Sequence, residues 1–257
     1  MTGPDAAELE TVTVPESRRG PTHSGNGGIV AGLMAARLGD AATVTLRRPI
    51  PLDRPLTLAV AGPRARLTDG EALLAEAAAE AGPVEGPGPV TPEIAAAASA
   101  RPLVEDARHG APRCWVCGPL AAAEAMHVRT GPTGLAPGEG PPCAALWTPG
   151  PAQAEPDGRL GVEHLWGALD CPSGVAAMAA EAGRDIHEIA LLLGRVTGRI
   201  ERRPLAGAPL VVTARGVGRE GRKWFAESAL HDAEGRRVAA ARSVWIEVDP
   251  AKLAATL

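Results

Sequence analysis

The chain has 257 residues, enough for two compact units of about 100–150 residues each. Hydrophobic residues make up 45% of it and aromatic residues only 2%, so we expect a sizeable core built mainly from Ala, Val, Leu and Ile. The net charge of −4 argues against a nucleic-acid-binding protein, which usually carries a basic excess on one face.

The N-terminal segment MTGPDAAELE has neither a basic region nor an apolar run, and it predicts no signal peptide. No apolar stretch in the sequence approaches the roughly 20 residues of a membrane span. The four cysteines do not form the pattern of a disulfide framework. We therefore expect a cytoplasmic protein with no membrane partner.

The first half opens with a glycine-rich helix start at residues 26–28. The helical segment IVAGLMAARL follows, with apolar residues recurring on one face. Strand-like segments come next at 43–51 and 55–62. The pair Asp69-Gly70 predicts a hairpin into the strand EALLAEAAAE, because both positions of such a turn favour residues that tolerate φ > 0.

A Pro- and Gly-rich linker occupies residues 82–92. Thr91-Pro92 is typical of a helix start and predicts a short Ala-rich helix, EIAAAASA. A loop-rich stretch at 101–161 holds the motif CWVCG and the strand-like CAALWTP. We therefore predict an N-terminal unit at 1–100 and a C-terminal unit at 101–257.

The second half has the same order of elements. The segment ALDCPSG at 168–174 predicts a second helix start, and strands are predicted at 195–204, 209–218, 223–232 and 236–248. LRRPIPLDRPL and IERRPLAGAPL are the segments that match best between the halves. This order predicts an internal repeat, and the alternative is a chance match in a chain rich in Ala, Arg and Gly.

A helix followed by an antiparallel meander is the hotdog unit. The predicted fold class is therefore α+β, with two tandem hotdog repeats in which an antiparallel sheet wraps around central helices. Two such units cover their exposed edges by pairing, so a fused repeat is a covalent version of a dimer. Whether two such chains form a homodimer stays open.

Three segments resemble known proteins. SGNGGIVAGLMAARL, with TLRRPIPLDRPL, resembles the first half of double-hotdog acyl-CoA thioesterases of the TesB-like kind. WGALDCPSG resembles their second helix start, where an Asp sits just before the helix. RCWVCGP resembles a motif of PaaI-like hotdog proteins. The resemblance extends from about residue 10 to residue 248.

The resemblance implies an acyl-thioester hydrolase that acts on an acyl-CoA or acyl-carrier thioester and needs no cofactor. The alternative is a non-catalytic acyl-thioester binding protein on the same fold. A hotdog hydratase ranks third, because its usual helix motif is not evident.

The sequence departs from this family at two places. Many hotdog thioesterases have His-Gly-Gly before the first helix, whereas this chain has Asn26-Gly27-Gly28 with His23 three residues earlier. The Gln of their last strand has no clear counterpart, and the segment ARSVW leaves Arg242 and Ser243 open for that position.

Thioester hydrolysis needs donors aimed at the developing oxyanion. A helix N-terminus offers free N–H groups, and glycine allows a carbonyl to approach closely. We therefore predict Gly27 and Gly28 as substrate-binding donors in the first half. Ser173 and Gly174 are the corresponding prediction in the second half.

Hydrolysis also needs a carboxylate that activates water or attacks the carbonyl. The matched family position makes Asp170 the candidate general base or nucleophile, and the alternative is that it only caps the second helix. Asn26 is also a good N-cap residue, and we keep it as a catalytic candidate that could orient water or the carbonyl. His23 is kept as a substrate-binding candidate.

The pair Cys114-x-x-Cys117 has the spacing of a zinc-binding motif, with His127 or Cys143 available to complete a set. The second closely spaced pair of a zinc ribbon is missing. We therefore predict no metal site and expect Cys114 and Trp115 to be buried loop anchors. Cys171 is expected to be a small buried thiol.

Overall fold

An antiparallel sheet of 11 strands forms the body of the protein. A computed structural model describes residues 7–21, 23–80, 82–104 and 110–251, so residues 1–6 of the segment examined for a signal peptide lie outside it. The strands are β1 (Glu8–Val12), β2 (Ala41–Leu46), β3 (Leu56–Ala61), β4 (Arg64–Asp69), β5 (Ala72–Ala79), β6 (Gly131–Pro132), β7 (Cys143–Trp147), β8 (Ala190–Ile200), β9 (Leu210–Glu220), β10 (Lys223–Asp232) and β11 (Arg237–Val248). The α-helices of the described residues are α1 (Gly27–Ala35), α2 (Pro92–Ser99) and α3 (Val162–Ala179).

The predicted α+β class is confirmed, and several local predictions hold. Helix α1 begins after Asn26, and Thr91 caps α2 by accepting a hydrogen bond from the backbone N–H of Ile94. The hairpin between β4 and β5 is also present. In that turn Gly70 has φ +57°, whereas Asp69 is still the last residue of its strand, so only one residue of the pair needs a left-handed backbone.

The sheet order is β1-β3-β4-β5-β2-β8-β11-β10-β9-β7-β6. From its centre outward, the order β2-β5-β4-β3-β1 on one side corresponds to β8-β11-β10-β9-β7 on the other. In each set the helix that packs on the sheet follows the first strand in sequence, α1 after β1 and α3 after β7. Strands β2 and β8 pair antiparallel at the centre, where the hydroxyls of Thr43 and Thr197 are 2.8 Å apart.

The prediction for the second helix start is wrong. Helix α3 begins at Val162 and continues past Pro172 to Ala179. Pro172 cannot donate a backbone hydrogen bond. Hydroxyl groups bind carbonyls of the same turn: Ser173 Oγ donates to the carbonyl of Asp170 at 2.8 Å, and Ser228 Oγ donates to that of Leu169 at 2.7 Å. These contacts add two hydrogen bonds to the part of α3 that contains Pro172.

Helices α1 and α3 cross at very short range. A Cβ added at Gly28 would lie 2.4 Å from Cβ of Asp170, and one added at Gly32 would lie 2.4 Å from Cα of Glu163. Both glycines face α3 because they are one helical turn apart. The backbones can approach only because these positions lack side chains, and this approach places the middle of α3 against the first turn of α1.

Among the described residues, no helix is both long enough and apolar enough to cross a membrane.

Candidate functional site

Asp170 lies in the middle of α3, and only 2% of its surface is exposed. The sequence-based view that it precedes the helix or caps it is therefore wrong. Its Oδ2 accepts a hydrogen bond of 2.9 Å from the backbone N–H of Gly28. The close crossing of the two helices thus puts a carboxylate at the positive end of the α1 dipole, where an anion is stabilised.

The surroundings of Asp170 perturb its acidity. Burial raises the pKa of Asp170 to about 7, and the neighbouring Cys114 acts in the same direction, whereas the Gly28 N–H and the Asn26 amide act in the opposite one. Its second oxygen, Oδ1, is buried and has no hydrogen-bond partner among the described residues. A buried acceptor without a partner is costly, so this oxygen is available to a water molecule or a ligand.

The backbone N–H groups in the first turn of α1 differ in their hydrogen-bond partners. Asn26 is the N-cap, as predicted, and its Oδ1 accepts from the N–H of Ile29 at 2.9 Å. The N–H of Gly28 is engaged by Asp170. The N–H of Gly27 has no partner among the described residues, and Gly27 lines a cavity beside Asp170. Of the two predicted glycine donors, Gly27 is therefore the one free to bind a ligand.

This cavity has a volume of about 630 Å³, which is within the range of small-molecule binding sites. Its polar floor contains Asn26, Gly27 and Asp170. Much of the rest of its lining is apolar, including Leu46, Ile50, Val175, Met178, Leu193 and Trp245. Arg47 and Arg48 also line it and are exposed, so the cavity combines an apolar wall with cationic groups in contact with solvent.

Ser173 and Gly174 lie inside α3, not at its start. The argument that they offer free helix N–H groups therefore fails. Ser173 is fully buried, and its Oγ accepts a hydrogen bond of 2.9 Å from Nε1 of Trp245. A Cβ at Gly174 would lie 2.8 Å from the same indole ring. The two residues fix the position of Trp245, which lines the cavity together with Gly174.

The candidate histidine is not brought to this site. His23 is exposed and is not among the residues that line the cavity. His164, which precedes Asp170 in α3, is buried, and neither ring nitrogen has a hydrogen-bond partner among the described residues. Burial lowers the pKa of His164 to about 4.

Two neighbours on β11, Arg242 and Ser243, are the candidates for the position of the Gln in the family's last strand. The alternation of side chains along the strand shows which of them faces inward. Ser243 is 2% exposed, whereas Arg242 is exposed on the other face of the sheet. Two residues further along the strand, Trp245 lies on the same face as Ser243. The Oγ of Ser243 has no hydrogen-bond partner within the described ranges.

Three cysteines surround the carboxylate. Sγ atoms of Cys114, Cys117 and Cys171 all lie within 4.8 Å of one another, and all three residues line the cavity. The burial of Cys114 and Trp115, at 2% and 4% exposed, is confirmed. The sequence does not link Cys171 to the Cys-x-x-Cys motif, because 54 to 57 positions separate them. Its place next to Asp170 is the signal that the sequence contains.

The two residues expected to complete a metal set lie elsewhere. His127 is half-buried, and its Nε2 is 2.9 Å from the carbonyl of Ala122. Cys143 is buried in β7, in a separate apolar cluster with Ala176 and Ala214.

No protein-family model matches the sequence, and no curated protein is similar to it. Solved structures are similar over nearly the whole chain. An acyl-CoA thioesterase II, TesB2, from Mycobacterium marinum has a TM-score of 0.60 at 15% identity and covers 96% of this chain and 97% of its own. A tesB protein of Mycobacterium avium subspecies paratuberculosis has a TM-score of 0.58 at 13% identity and covers 94% and 96%. The chain therefore has the hotdog fold of the TesB-like acyl-CoA thioesterase II proteins.

Proposed function

We propose that the protein is an acyl-CoA thioester hydrolase built from two tandem hotdog repeats, in an N-terminal unit (1–100) and a C-terminal unit (101–257). The likeness in fold to acyl-CoA thioesterase II proteins supports this at the level of the family. The matching strand orders on the two sides of the β2–β8 pair support the repeat.

One observation supports hydrolysis most directly. The buried Asp170 of α3 faces the N-terminus of α1, which belongs to the other half of the chain. A carboxylate and a set of helix N–H donors are the two elements that acyl transfer to water requires. Here they meet at the floor of an apolar cavity, so a thioester carbonyl seated there can contact both.

In this mechanism the thioester carbonyl oxygen accepts a hydrogen bond from the N–H of Gly27. The oxygen becomes negatively charged in the transition state, and the α1 dipole stabilises that charge. The free Oδ1 of Asp170 accepts a proton from water as the water attacks the acyl carbon. The carbon–sulfur bond then breaks, the proton passes to the departing thiolate, and the products are a carboxylic acid and coenzyme A.

Asp170 can also act as the nucleophile. Its Oδ1 then attacks the acyl carbon directly, coenzyme A leaves as the thiolate and takes a proton from solvent, and water hydrolyses the resulting mixed anhydride. Both routes use the same free oxygen and the same donor. Oxygen from labelled water enters the carboxyl group of Asp170 in a single turnover only by the nucleophilic route, when water attacks the Asp170 carbonyl of the anhydride.

The apolar wall and the cationic groups of the cavity account for substrate binding. The apolar part of the cavity accommodates an acyl chain, which gains roughly 0.8 kcal/mol for each buried methylene group. Arg48 is exposed at the cavity, and its guanidinium has no ion-pair partner within the described residues. It is therefore available to the phosphate groups of coenzyme A. Asn26 holds the first turn of α1 in place and is next to the reacting groups.

The experiment is release of free thiol from acyl-CoA esters of short, medium and long chain, compared with saturable binding of the same esters. Turnover with a preference for one chain length supports hydrolysis. Saturable binding without turnover of any ester would contradict it and favour the acyl-thioester binding protein instead.

A further inference from the structure

Cys114, Cys117 and Cys171 form a compact group that the proposed hydrolysis does not use. Cys114 and Cys117 belong to the loop between α2 and β6, and Cys171 belongs to α3. The Sγ atoms of Cys114 and Cys171 are 3.8 Å apart, and no two of the three sulfurs are more than 4.8 Å apart. Adjacent sulfurs of a tetrahedral zinc site are also about 3.8 Å apart, since Zn–S bonds are about 2.3 Å long.

The loop that carries the first two cysteines is built as a tight turn around the sulfur of Cys114. The N–H of Gly118 donates to the carbonyl of Cys114 at 2.8 Å. A Cβ at Gly118 would lie 2.4 Å from the nitrogen of Cys114, so only glycine fits at this position. Backbone hydrogen bonds of Trp115 and Val116 to neighbouring segments hold the turn in place.

An amide donor lies beside the sulfurs of Cys114 and Cys171. Nδ2 of Asn26 lies 3.6 Å from Sγ of Cys114 and 3.5 Å from Sγ of Cys171. Donors outside the ligand set orient metal-binding thiolates in this way and offset part of their negative charge.

We propose that Cys114, Cys117 and Cys171 bind one thiophilic divalent cation, Zn²⁺, through three thiolates, with the fourth coordination position open to the cavity. A thiolate set selects Zn²⁺ over oxygen-preferring cations such as Mg²⁺ and Ca²⁺. All three residues line the cavity, so an exchangeable ligand can approach the ion from that side. Because the ligands must be deprotonated, binding of Zn²⁺ releases protons.

The test uses the untagged, fully reduced chain, titrated anaerobically with Zn²⁺ and, in parallel, with Co²⁺ as a spectroscopic probe. We expect one ion per chain and an intense ultraviolet band from charge transfer between thiolate and Co²⁺. Addition of a small thiol is expected to change the Co²⁺ spectrum, because the fourth position is open.

Single Cys→Ala substitutions identify the ligands. Cys114→Ala, Cys117→Ala and Cys171→Ala should each weaken Zn²⁺ binding about 100-fold or more, above the 10–100-fold effect typical of a group outside the ligand set. Cys143→Ala is the matched control, since Cys143 is another buried cysteine in a different cluster, and it should leave the affinity unchanged. Circular dichroism of each variant verifies folding.

The proposal is overturned if the reduced wild-type chain binds no stoichiometric Zn²⁺, or if Cys143→Ala reduces binding as much as Cys171→Ala. The wild-type Co²⁺ spectrum decides the question even if a variant does not fold. None of these readouts depends on thioester hydrolysis.

Discussion

The backbone N–H of Gly28 donates a 2.9 Å hydrogen bond to the Oδ2 of Asp170, 142 positions away in the sequence. This contact joins the N-terminus of α1 to the middle of α3, and it leaves the second carboxylate oxygen free. It depends on two glycines that let the helices approach.

The helix crossing is tested at Gly32, one turn away from the reacting groups. Gly32→Ala puts a Cβ 2.4 Å from the Cα of Glu163, a backbone atom that cannot move aside without shifting α3. We expect a loss of about 1–3 kcal/mol in the free energy of unfolding, as is typical of overpacking, together with reduced turnover. Denaturant unfolding and thiol release measure the two effects.

Gly88→Ala is the control for that change, because a Cβ there would meet no atom within 4 Å and its φ is not positive. It should leave both the stability and the turnover within experimental error. A Gly32→Ala variant as stable and active as Gly88→Ala would contradict the role assigned to the close crossing.

Ser173 is predicted to act through Trp245 and not through substrate. Ser173→Ala removes the acceptor of the buried indole N–H, and leaving such a donor unpaired costs about 1–3 kcal/mol. Thermal or denaturant unfolding measures this loss. In a Trp245→Phe background, which lacks the donor, the same substitution should cost less, because only the bond from Ser173 to the Asp170 carbonyl is then lost. An equal cost in both backgrounds would show that the contact with Trp245 contributes nothing to stability.

Arg48 is predicted to bind the nucleotide part of coenzyme A. Arg48→Ala should raise KM for an acyl-CoA several-fold at low ionic strength, because one phosphate contact is lost. KM for the same acyl group on a short thiol without phosphates should not change. Arg66→Ala removes an exposed arginine of β4 that does not line the cavity, and it should have no effect on either substrate. Equal effects of the two variants would contradict the assignment.

Acid should destabilise the fold through His231. This side chain is 3% exposed, and burial, followed by the charge of Arg237, lowers its pKa to about 4, against the opposing influence of Asp232 and Glu201. The unfolded chain then binds more protons than the folded one between pH 6.5 and about 4, so stability is lost as the pH falls through that window.

The matched variant for this effect is His231→Gln, which has no titrating group. Between pH 7 and pH 5 the wild type should lose about 2 kcal/mol more stability than the variant. Denaturant unfolding at the two pH values measures the difference. Parallel pH dependence of the two proteins would show that His231 is not held neutral by the fold.

The sequence predicts much of the fold because its local signals are strong. Gly221 and Gly235, both with positive φ, lie in the short gaps between the strands that are predicted for the second half. The cap of α1 at Asn26 follows from the preference of Asn for that position. The error at α3 has a specific cause. Pro172 usually marks a helix start, and nothing local reveals that serine hydroxyls, one of them from β10, bind the carbonyls of that turn.

The sequence predicts the site only in part, for a similar reason. The family resemblance identifies Asp170, but the contact of Asp170 with Gly28 depends on how α1 crosses α3, which local patterns do not encode. Because of that crossing, the N–H of Gly28 binds Asp170, and the N–H of Gly27 is left for a ligand. Likewise, Cys171 meets the Cys-x-x-Cys loop only in the folded chain, whereas the sequence offered His127 and Cys143 as nearer partners.

The catalytic role of Asp170 is tested most directly by Asp170→Asn, assayed for thiol release from the preferred acyl-CoA. Asn keeps an oxygen to accept the Gly28 N–H and removes a buried acidic group, so the variant should fold and should still bind the ester. Asp40→Asn, at an exposed site, is the matched control. We predict that kcat falls about 10²–10⁴-fold in Asp170→Asn and does not change in Asp40→Asn. A kcat for Asp170→Asn within a few-fold of the wild-type value would contradict the assignment of Asp170 as the catalytic carboxylate.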